Sequence, residues 1–236
     1  MVLDEINGVT RNADFAHFIK GLVDTNAMSP EPLPLLLMLC GVEERRREMI
    51  EEHRPVDRIF DVVEIDPMQP EEAAQFFQRA FESVQMSVEP AAMGPLVHYS
   101  AGFPKIMHLL GDAAYWMDQD GVVSKDDALI AVAMAAEDVG TKYVDQQVYG
   151  ALRSADYHAI LAKIARIDPS ELSFTKARIE AGLTETQKQK FNNFLQKMKK
   201  LKVLRSGEFR GEYVFTNRMV RLYIWLKSLP AHQATR

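Results

Sequence analysis

Two acidic residues directly follow a short apolar stretch near the start of the chain, where Val2 and Leu3 precede Asp4 and Glu5. When such a pair ends a buried strand, the aspartate can hold Mg²⁺ directly or through water, and the glutamate can align and polarise an attacking water. The order of residues therefore fits phosphate hydrolysis. Taken alone the pair is weak evidence, because similar stretches also occur as solvated strand ends.

A second group of candidate residues lies along a predicted helix in the last third of the chain. One face of this helix is polar, and the opposite face carries Phe191, Leu195 and Met198. A helix with this arrangement can present hydrogen-bond donors to the major groove of DNA. The polar face consists of Lys188, Asn192, Gln196 and Lys199.

Two arginines flank the turn that follows this helix, and Arg205 and Arg210 are placed to reach DNA phosphates. The sequence therefore predicts double-stranded DNA as a partner. The alternative is a module that docks protein or forms a dimer, in which the lysine-rich helix is merely solvated.

The charge of the chain is divided unevenly along its length. Residues 1–150 contain 11 Lys and Arg against 26 Asp and Glu, a net charge of −15. Residues 151–236 contain 17 against 7, a net charge of +10, and the whole chain has −5. Such asymmetry favours a basic module for a polyanion joined to an acidic body.

Several classes of protein are excluded by composition. The longest apolar run, residues 33–40, is far shorter than the roughly 20 residues of a membrane span. The acidic N-terminal residues do not resemble a secretory signal, so a cytoplasmic protein with no membrane partner is expected. Cys40 is the one cysteine and is expected to be a buried apolar residue, and the six histidines form no metal-binding pattern.

The first half of the chain predicts a small α/β part followed by helices. Apolar runs at residues 2–3 and 35–39 are typical of buried parallel strands, and residues 62–65 are a weaker third candidate. A helical pattern separates the first two runs. Further helices are predicted at residues 45–52, 71–84, 90–99, 105–117 and 124–139.

The last third predicts three helices and a two-stranded ribbon, the composition of a winged helix-turn-helix. The first helix is marked by apolar residues between 157 and 164, and Ser173 is expected to cap the second, which ends at Ala181-Gly182. Thr184 begins the third, with Gln187 completing a capping box. Strands are expected at residues 203–207 and 213–215, and a closing helix around residues 220–226.

This order of elements, with the Asp-Glu pair and the stretch "GFPK" at residues 102–105, resembles the AAA+ ATPases related to archaeal origin-recognition initiators, which end in a winged helix. The resemblance implies a mainly α protein with a small α/β part. It implies a partial parallel sheet of the AAA+ core in residues 1–67, a helical lid domain in 68–150 and a winged-helix domain in 151–236. It also implies self-association through the core.

The resemblance assigns roles to five residues. Asp4 and Glu5 match the Walker B pair, with Asp4 as the Mg²⁺ ligand. Arg58 is the best match to an arginine finger and Arg54 the second, although Arg58 can instead form a salt bridge with neighbouring aspartates or cover the sheet edge. Lys105 takes the second sensor position, where the family more often has arginine, or it is a solvated lysine in the first turn of a helix.

Two departures from the family pattern limit the expected activity. Cys40-Gly41 falls at the first sensor position, where the family usually has Asn, Ser or Thr. A P-loop needs a Gly-Lys pair, because backbone N–H groups and the lysine wrap the phosphates, and no Gly-Lys dipeptide occurs in these residues. The chain is therefore expected to be the back portion of a longer ATPase and to be inactive alone.

These observations favour one function and leave a second open. The expected function is that of an AAA+ fragment that couples nucleotide state to DNA binding through the winged helix. ATP and Mg²⁺ are the expected cofactors of the complete protein, and none is expected for this fragment. The alternative is a nucleotide-switch signalling scaffold of the STAND type, in which the winged helix docks protein.

Overall fold

The computed structural model describes residues 1–229, without the side chain of Glu44. The chain forms two compact units, Met1–Ile65 and Asp66–Arg236. It is mainly helical, with small parallel and antiparallel sheets, which confirms the predicted fold class. The division of residues 66–236 into a lid and a C-terminal domain stays a prediction.

The first unit contains a parallel two-stranded sheet joined by a helix. Val2 pairs with Met38 and Leu3 with Leu39. Asn12 caps the connecting helix by accepting the N–H of Asp14. The elements are β1 (Val2–Leu3), α1 (Ala13–Met28), β2 (Met38–Leu39), α2 (Glu43–Glu52) and a 3₁₀-helix (Arg54–Ile59).

The predicted third strand of this unit is wrong. Residues 62–65 have no strand partner among the described residues, and Val63 and Ile65 are exposed. Their β-branched side chains favour extended backbone, but a strand also needs a neighbour for its N–H and C=O groups. The partial sheet therefore has two strands within residues 1–229.

The second unit begins with a group of four helices. Proline at the first position starts three of them, and Ser124 with Asp127 forms a capping box at the fourth. A short parallel pair of strands, which the sequence did not predict, joins Ser87 to Val122. The elements are α3 (Pro70–Ser83), β3 (Ser87–Val88), α4 (Pro90–Ser100), α5 (Pro104–Met117), β4 (Val122–Val123), α6 (Lys125–Val139) and a π-helix (Gly140–Tyr149).

Residues 151–229 of the second unit, which we call the basic part, combine helices with an antiparallel sheet in the strand order β5-β7-β6. Its elements are α7 (Ala155–Ala165), β5 (Ser173–Thr175), α8 (Lys176–Glu180), α9 (Glu185–Lys200), β6 (Leu204–Ser206), β7 (Glu212–Phe215) and α10 (Arg218–Ser228). The prediction that Ser173 caps a helix is wrong. Ser173 pairs with Val214 in the sheet, and Thr175 caps α8 instead by accepting the N–H of Arg178.

Helix α10 belongs to both hydrophobic cores of the second unit. Met219 and Leu222 pack into the core formed by α3 to α6, whereas Val220, Tyr223 and Ile224 pack into the core of the basic part. No residue of α10 is exposed, because each of its two apolar sides packs into a different core. The basic part is therefore built together with the preceding helices.

Arg221 is a fully buried arginine on this helix. Its guanidinium donates hydrogen bonds to the carbonyls of Ile167, Asp168 (3.2 Å) and Glu171 (3.4 Å) and lies 5.2 Å from the ring centre of Phe215. Nη1 has no partner within residues 1–229. Burial lowers the pKa of Arg221 to about 10, although the nearby acidic groups raise it in part. Arg221 thus fixes the loop between α7 and β5.

Replacing Arg221 by methionine should destabilise the second unit. The carbonyls of Ile167 and Asp168 would lose their donor, at a cost of about 2 kcal/mol in the free energy of unfolding. Trp116 and Trp225 both lie in this unit, so urea unfolding followed by tryptophan fluorescence reports on it. Arg166→Met, at an exposed arginine, is the control, and equal effects of the two substitutions would contradict the structural role of Arg221.

Candidate functional site

The acidic pair lies at the carboxyl end of the parallel strands, as the sequence predicted. Asp4 and Glu5 follow β1, and Cys40 follows β2. A hydrogen bond of 3.2 Å from the N–H of Ile6 to the carbonyl of Cys40 joins the two strand ends. The structure therefore brings the three residues that the family resemblance places near a nucleotide to one edge of the sheet.

The two carboxylates are exposed and have different surroundings. Oδ1 of Asp4 accepts the N–H of Glu5 at 2.8 Å. Glu5 has a φ of 51°, in the left-handed region, which is unfavourable for a residue with a Cβ by about 1–2 kcal/mol. The backbone therefore turns at Glu5, directly before the short 3₁₀-helix that begins at Ile6.

The predicted arginine-finger residues, Arg54 and Arg58, lie in the 3₁₀-helix that follows α2. Both are exposed, and neither has a hydrogen bond or ion pair with the described residues. Asp57, one of the predicted alternatives for a salt bridge with Arg58, accepts instead from Arg46 at 2.8 Å. Within residues 1–229, Arg54 and Arg58 are therefore free to contact a ligand or another chain.

The other arginines of the first unit are engaged in ion pairs on and near α2. Glu48 accepts from Arg11 and Arg45, and their hydrogen bonds lower the pKa of its carboxyl from 4.5 to about 2. Glu43 accepts from Arg46 and Arg47, and its pKa is lowered to about 2 for the same reason. These pairs are exposed or half-buried, and they connect neighbouring side chains on and near the surface of α2.

Lys105 lies in the second unit, exposed in the first turn of α5. The turn before it is fixed, because the N–H of Met68 donates to the carbonyl of Gly102 at 2.9 Å. Gly102 has a φ of 72°, and a Cβ at this position would lie 2.1 Å from the carbonyl oxygen of Met68. Lys105 has no partner among the described side chains, and as a cation it is unfavourable at a helix N-terminus.

The polar face predicted on the third helix of the basic part is present on α9. Lys188, Asn192 and Gln196 are exposed, and Lys199 is half-buried. The opposite face is buried and consists of Phe191, Phe194, Leu195 and Met198.

The four polar residues of this face differ in what they contact. Lys188 pairs with Glu185 at 2.7 Å, and Lys199 donates to Oγ of Ser206 at 3.1 Å. Asn192 and Gln196 have no hydrogen-bond partner within the described part of the chain, so their amides are open for recognition.

Two further cations lie on the β6–β7 hairpin. Arg205 is exposed at the middle of β6, opposite Val214, and Arg210 is exposed in the connecting loop. Neither has a partner in residues 1–229. The bond between Lys199 and Ser206 ties the end of α9 to β6 and so links the helix face to the hairpin. We call Lys188, Asn192, Gln196, Lys199, Arg205 and Arg210 the basic face.

Sequence reasoning missed two residues beside the basic face. Lys200 is exposed at the end of α9. Phe209 lies in the hairpin loop next to Arg210, and 75% of its surface is exposed. The signal in the sequence was an aromatic residue inside a short segment bounded by two glycines, Gly207 and Gly211.

The described residues contain neither a cluster of metal-binding side chains nor a helix that could span a membrane. No group of three or more His, Cys, Asp or Glu residues within 1–229 is arranged to hold a metal ion. In the same residues, every helix is too short or too polar to cross a membrane.

One prediction follows from the cap that starts α9. Oγ1 of Thr184 accepts the N–H of Gln187 at 3.3 Å, and Oε1 of Gln187 accepts the N–H of Thr184 at 3.2 Å. Thr184→Ala should remove about 1 kcal/mol of stability and lower the melting temperature by a few degrees, measured by tryptophan fluorescence. Thr186→Ala changes the same residue type two positions later, where it caps nothing, and should have little effect. A similar loss in both variants would contradict the role of the cap.

The comparisons with known proteins give a likeness in fold. No protein-family model matches the sequence, and no curated protein matches it significantly. Among solved structures, the chain is similar to the Walker-type ATPase of Pyrococcus abyssi, with a TM-score of 0.52 and 15% identity. The alignment covers 94% of this chain and 62% of that structure. The chain therefore has a fold distantly similar to that of this Walker-type ATPase and spans about 62% of its length.

Proposed function

We propose that this chain is the C-terminal portion of an AAA+-like ATPase in which the nucleotide state controls how a winged helix engages double-stranded DNA. The observation that carries the proposal is the basic face, where the exposed side of α9 and the hairpin arginines present cations and unpaired amides together. The fold likeness to a Walker-type ATPase supports the ATPase part.

The order of elements supports the assignment of a winged helix to the basic part. Three helices, α7, α8 and α9, are followed by the hairpin β6–β7. Strand β5 lies between α7 and α8 along the chain and pairs with β7. In DNA-binding proteins with a helix-turn-helix, the recognition helix enters the major groove with its exposed side. Helix α9 fits this role, because one of its sides is buried in the core of the basic part and the opposite side is exposed.

The chemistry of the basic face fits DNA. Asn192 and Gln196 each carry an amide that can donate and accept, which matches the edge of adenine in the major groove. Arg205 and Arg210 lack acidic partners in the described residues and can neutralise phosphates. The net charge of residues 151–236, with 17 basic and 7 acidic residues, attracts a polyanion of any sequence.

The residues of the first unit fit only part of a Mg²⁺–nucleotide site. Asp4 and Glu5 supply exposed carboxylate oxygens, the ligands that Mg²⁺ prefers, at the carboxyl end of parallel strands. The Gly-Lys pair that would hold the phosphates does not occur in this sequence. We therefore propose that nucleotide binds only in a longer protein that supplies the phosphate-binding loop.

The apolar side chains exposed on and beside the two-stranded sheet are consistent with a further segment of the protein that covers them. Val2 is 60% exposed, and Leu36 and Met38 are also exposed. Parallel sheets are normally covered on both faces, and their strands are therefore apolar. An additional part of an ATPase core would bury these side chains.

Two observations favour the second candidate, a nucleotide-switch scaffold whose winged helix docks protein. Cys40 stands where a polar side chain usually contacts the γ-phosphate in the family that the sequence resembles, and Lys105 stands where arginine is more common. Both departures weaken hydrolysis without affecting the fold. The cations Arg205 and Arg210 and the amides of Asn192 and Gln196, which have no partner within residues 1–229, favour DNA over protein as the partner.

We expect residues 1–236 to bind duplex DNA with steep salt dependence. Fluorescence anisotropy at several salt concentrations should give a log–log slope of roughly −0.9 for each neutralised phosphate. Arg205→Ala or Arg210→Ala should weaken binding to all sequences alike and flatten the slope by about one unit each. Asn192→Ala should instead change the preference between sequences, because it removes a base-edge contact.

Charge reversal provides the control for this experiment. Changing Lys188, Lys199, Arg205 and Arg210 together to glutamate should abolish binding. Changing Arg79 and Lys125, exposed cations elsewhere in the second unit, to glutamate should leave most of the affinity. Absence of binding by the unchanged chain at low salt would contradict the proposal and favour the docking scaffold.

We expect the same chain to show no micromolar binding of Mg-ATP by calorimetry. Asp4 and Glu5 supply carboxylates, but the backbone cradle and lysine that wrap the phosphates are lacking in these residues. Micromolar binding would contradict the proposal that the nucleotide site needs a further segment. A Glu5→Gln variant with the same affinity as the unchanged chain would then show that this nucleotide site does not involve the acidic pair.

A further inference from the structure

The loop at the tip of the β6–β7 hairpin presents an aromatic ring to solvent. Phe209 lies at the middle of the loop at residues 207–211, and its ring has no aromatic neighbour within the described residues. A single exposed apolar residue needs no explanation by itself. This one lies in a loop whose backbone is held by a specific set of hydrogen bonds.

Glu212, the first residue of β7, forms hydrogen bonds with three residues of this loop. Its Oε2 accepts the N–H of Glu208 at 3.0 Å and the N–H of Phe209 at 3.3 Å. The N–H of Gly207 donates to the carbonyl of Glu212 at 2.9 Å, and the N–H of Glu212 donates to the carbonyl of Phe209 at 3.1 Å. Two hydrogen bonds to the Glu212 carboxylate and two backbone–backbone hydrogen bonds thus hold the loop without using the ring of Phe209.

The two glycines permit this geometry. A Cβ on Gly207 would lie 2.3 Å from Oε2 of Glu212, so only glycine leaves room for the carboxylate that accepts the loop N–H groups. Gly211 has a φ of 84°, which favours glycine. Its carbonyl accepts the N–H of Lys176 at 2.8 Å, which anchors the loop to the start of α8. The tip is therefore held in one shape.

The charges around the ring of Phe209 partly cancel. Arg210 follows Phe209 directly and has no partner among residues 1–229, and Arg205 precedes the loop on β6. Glu208 also lies at the tip, and its charge weakens the attraction for phosphates. The aromatic ring, rather than net charge, is therefore the distinctive contact group of this tip.

We propose that Phe209 stacks on a nucleobase of the DNA that the basic face binds. The inference rests on the proposed function, since it needs DNA at α9 and at the hairpin. Stacking of a base on an aromatic side chain strengthens binding by about 5- to 100-fold and tolerates any base, because every base has a π-face. An apolar side chain can also insert between base pairs of a duplex.

The base can come from a duplex step or from an unpaired strand, and the probes separate these sources. Residues 1–236 are titrated into a short duplex, into a forked duplex and into a single strand, each carrying 2-aminopurine, whose fluorescence changes when its stacking changes. Anisotropy of a separate dye on the same DNA gives the affinity. A larger change in 2-aminopurine fluorescence with the duplex indicates that the ring inserts between base pairs. A larger change with the forked duplex or the single strand indicates that the ring stacks on an unpaired base.

Three variants test the role of the ring. Phe209→Ala should weaken binding by about 5- to 100-fold, leave the salt slope unchanged and remove the 2-aminopurine response. Phe209→Trp should retain both affinity and response. Phe18→Ala, which removes a ring that is 61% exposed on α1 of the first unit, is the matched control and should behave like the unchanged chain.

Glu212→Ala tests whether the loop must be held in one shape. It removes the acceptor of the Glu208 and Phe209 N–H groups and should lower affinity although the ring is still present. Unchanged affinity and an unchanged 2-aminopurine response in Phe209→Ala would overturn this inference while leaving DNA binding intact. Failure of the unchanged chain to bind any of the three DNA probes at low salt would overturn the proposed function and this inference with it.

Discussion

The burial of α10 in two hydrophobic cores at once is the constraint on which the second unit depends. Six consecutive residues, from Met219 to Ile224, are buried. Met219 and Leu222 pack into the core of α3 to α6, whereas Val220, Tyr223 and Ile224 pack into the core of the basic part. Gly140 allows the close approach, because a Cβ there would lie 2.1 Å from the ring of Tyr223. Exposing either side of α10 would leave apolar surface in water.

This shared helix also places polar contacts between the helical and basic parts. Nη1 of Arg218 lies 2.8 Å from Nε2 of His98 on α4. The pKa of His98 is lowered, mainly by burial and in addition by the positive charge of Arg218. Arg221 reaches the loop before β5 from the same helix. The basic face is thus carried by a part of the chain whose support comes from α4 and α6 as well as from its own core.

The structure separates the cations of the basic part into those that stabilise the fold and those that are open. Lys190 pairs with Asp156 at 2.5 Å, and Lys197 and Lys163 donate to backbone carbonyls. Arg205 and Arg210 have no partner in the described residues. A net charge of +10 in residues 151–236 therefore overstates how many cations a polyanion can contact. Specific recognition would depend on a few positions on α9 and the hairpin.

What the sequence determined was mainly local. Prolines at Pro70, Pro90 and Pro104 and the capping boxes at Ser124 and Thr184 located the helix starts, because a cap depends on residues within one turn. The apolar stripe of α9 determined which of its sides is buried. The apolar run at residues 2–3 placed Asp4 and Glu5 at the carboxyl end of a strand.

Only the tertiary structure decided which extended segments become strands and which polar groups are open. Residues 62–65 have strand propensity but no described partner, whereas Ser173 joins a sheet because β7 offers one. The burial of Arg221 and the exposure of Phe209 depend on carbonyls and loop contacts brought together by folding. Sequence spacing carries no record of such distant neighbours, because hydrogen-bond satisfaction and burial are properties of the packed chain.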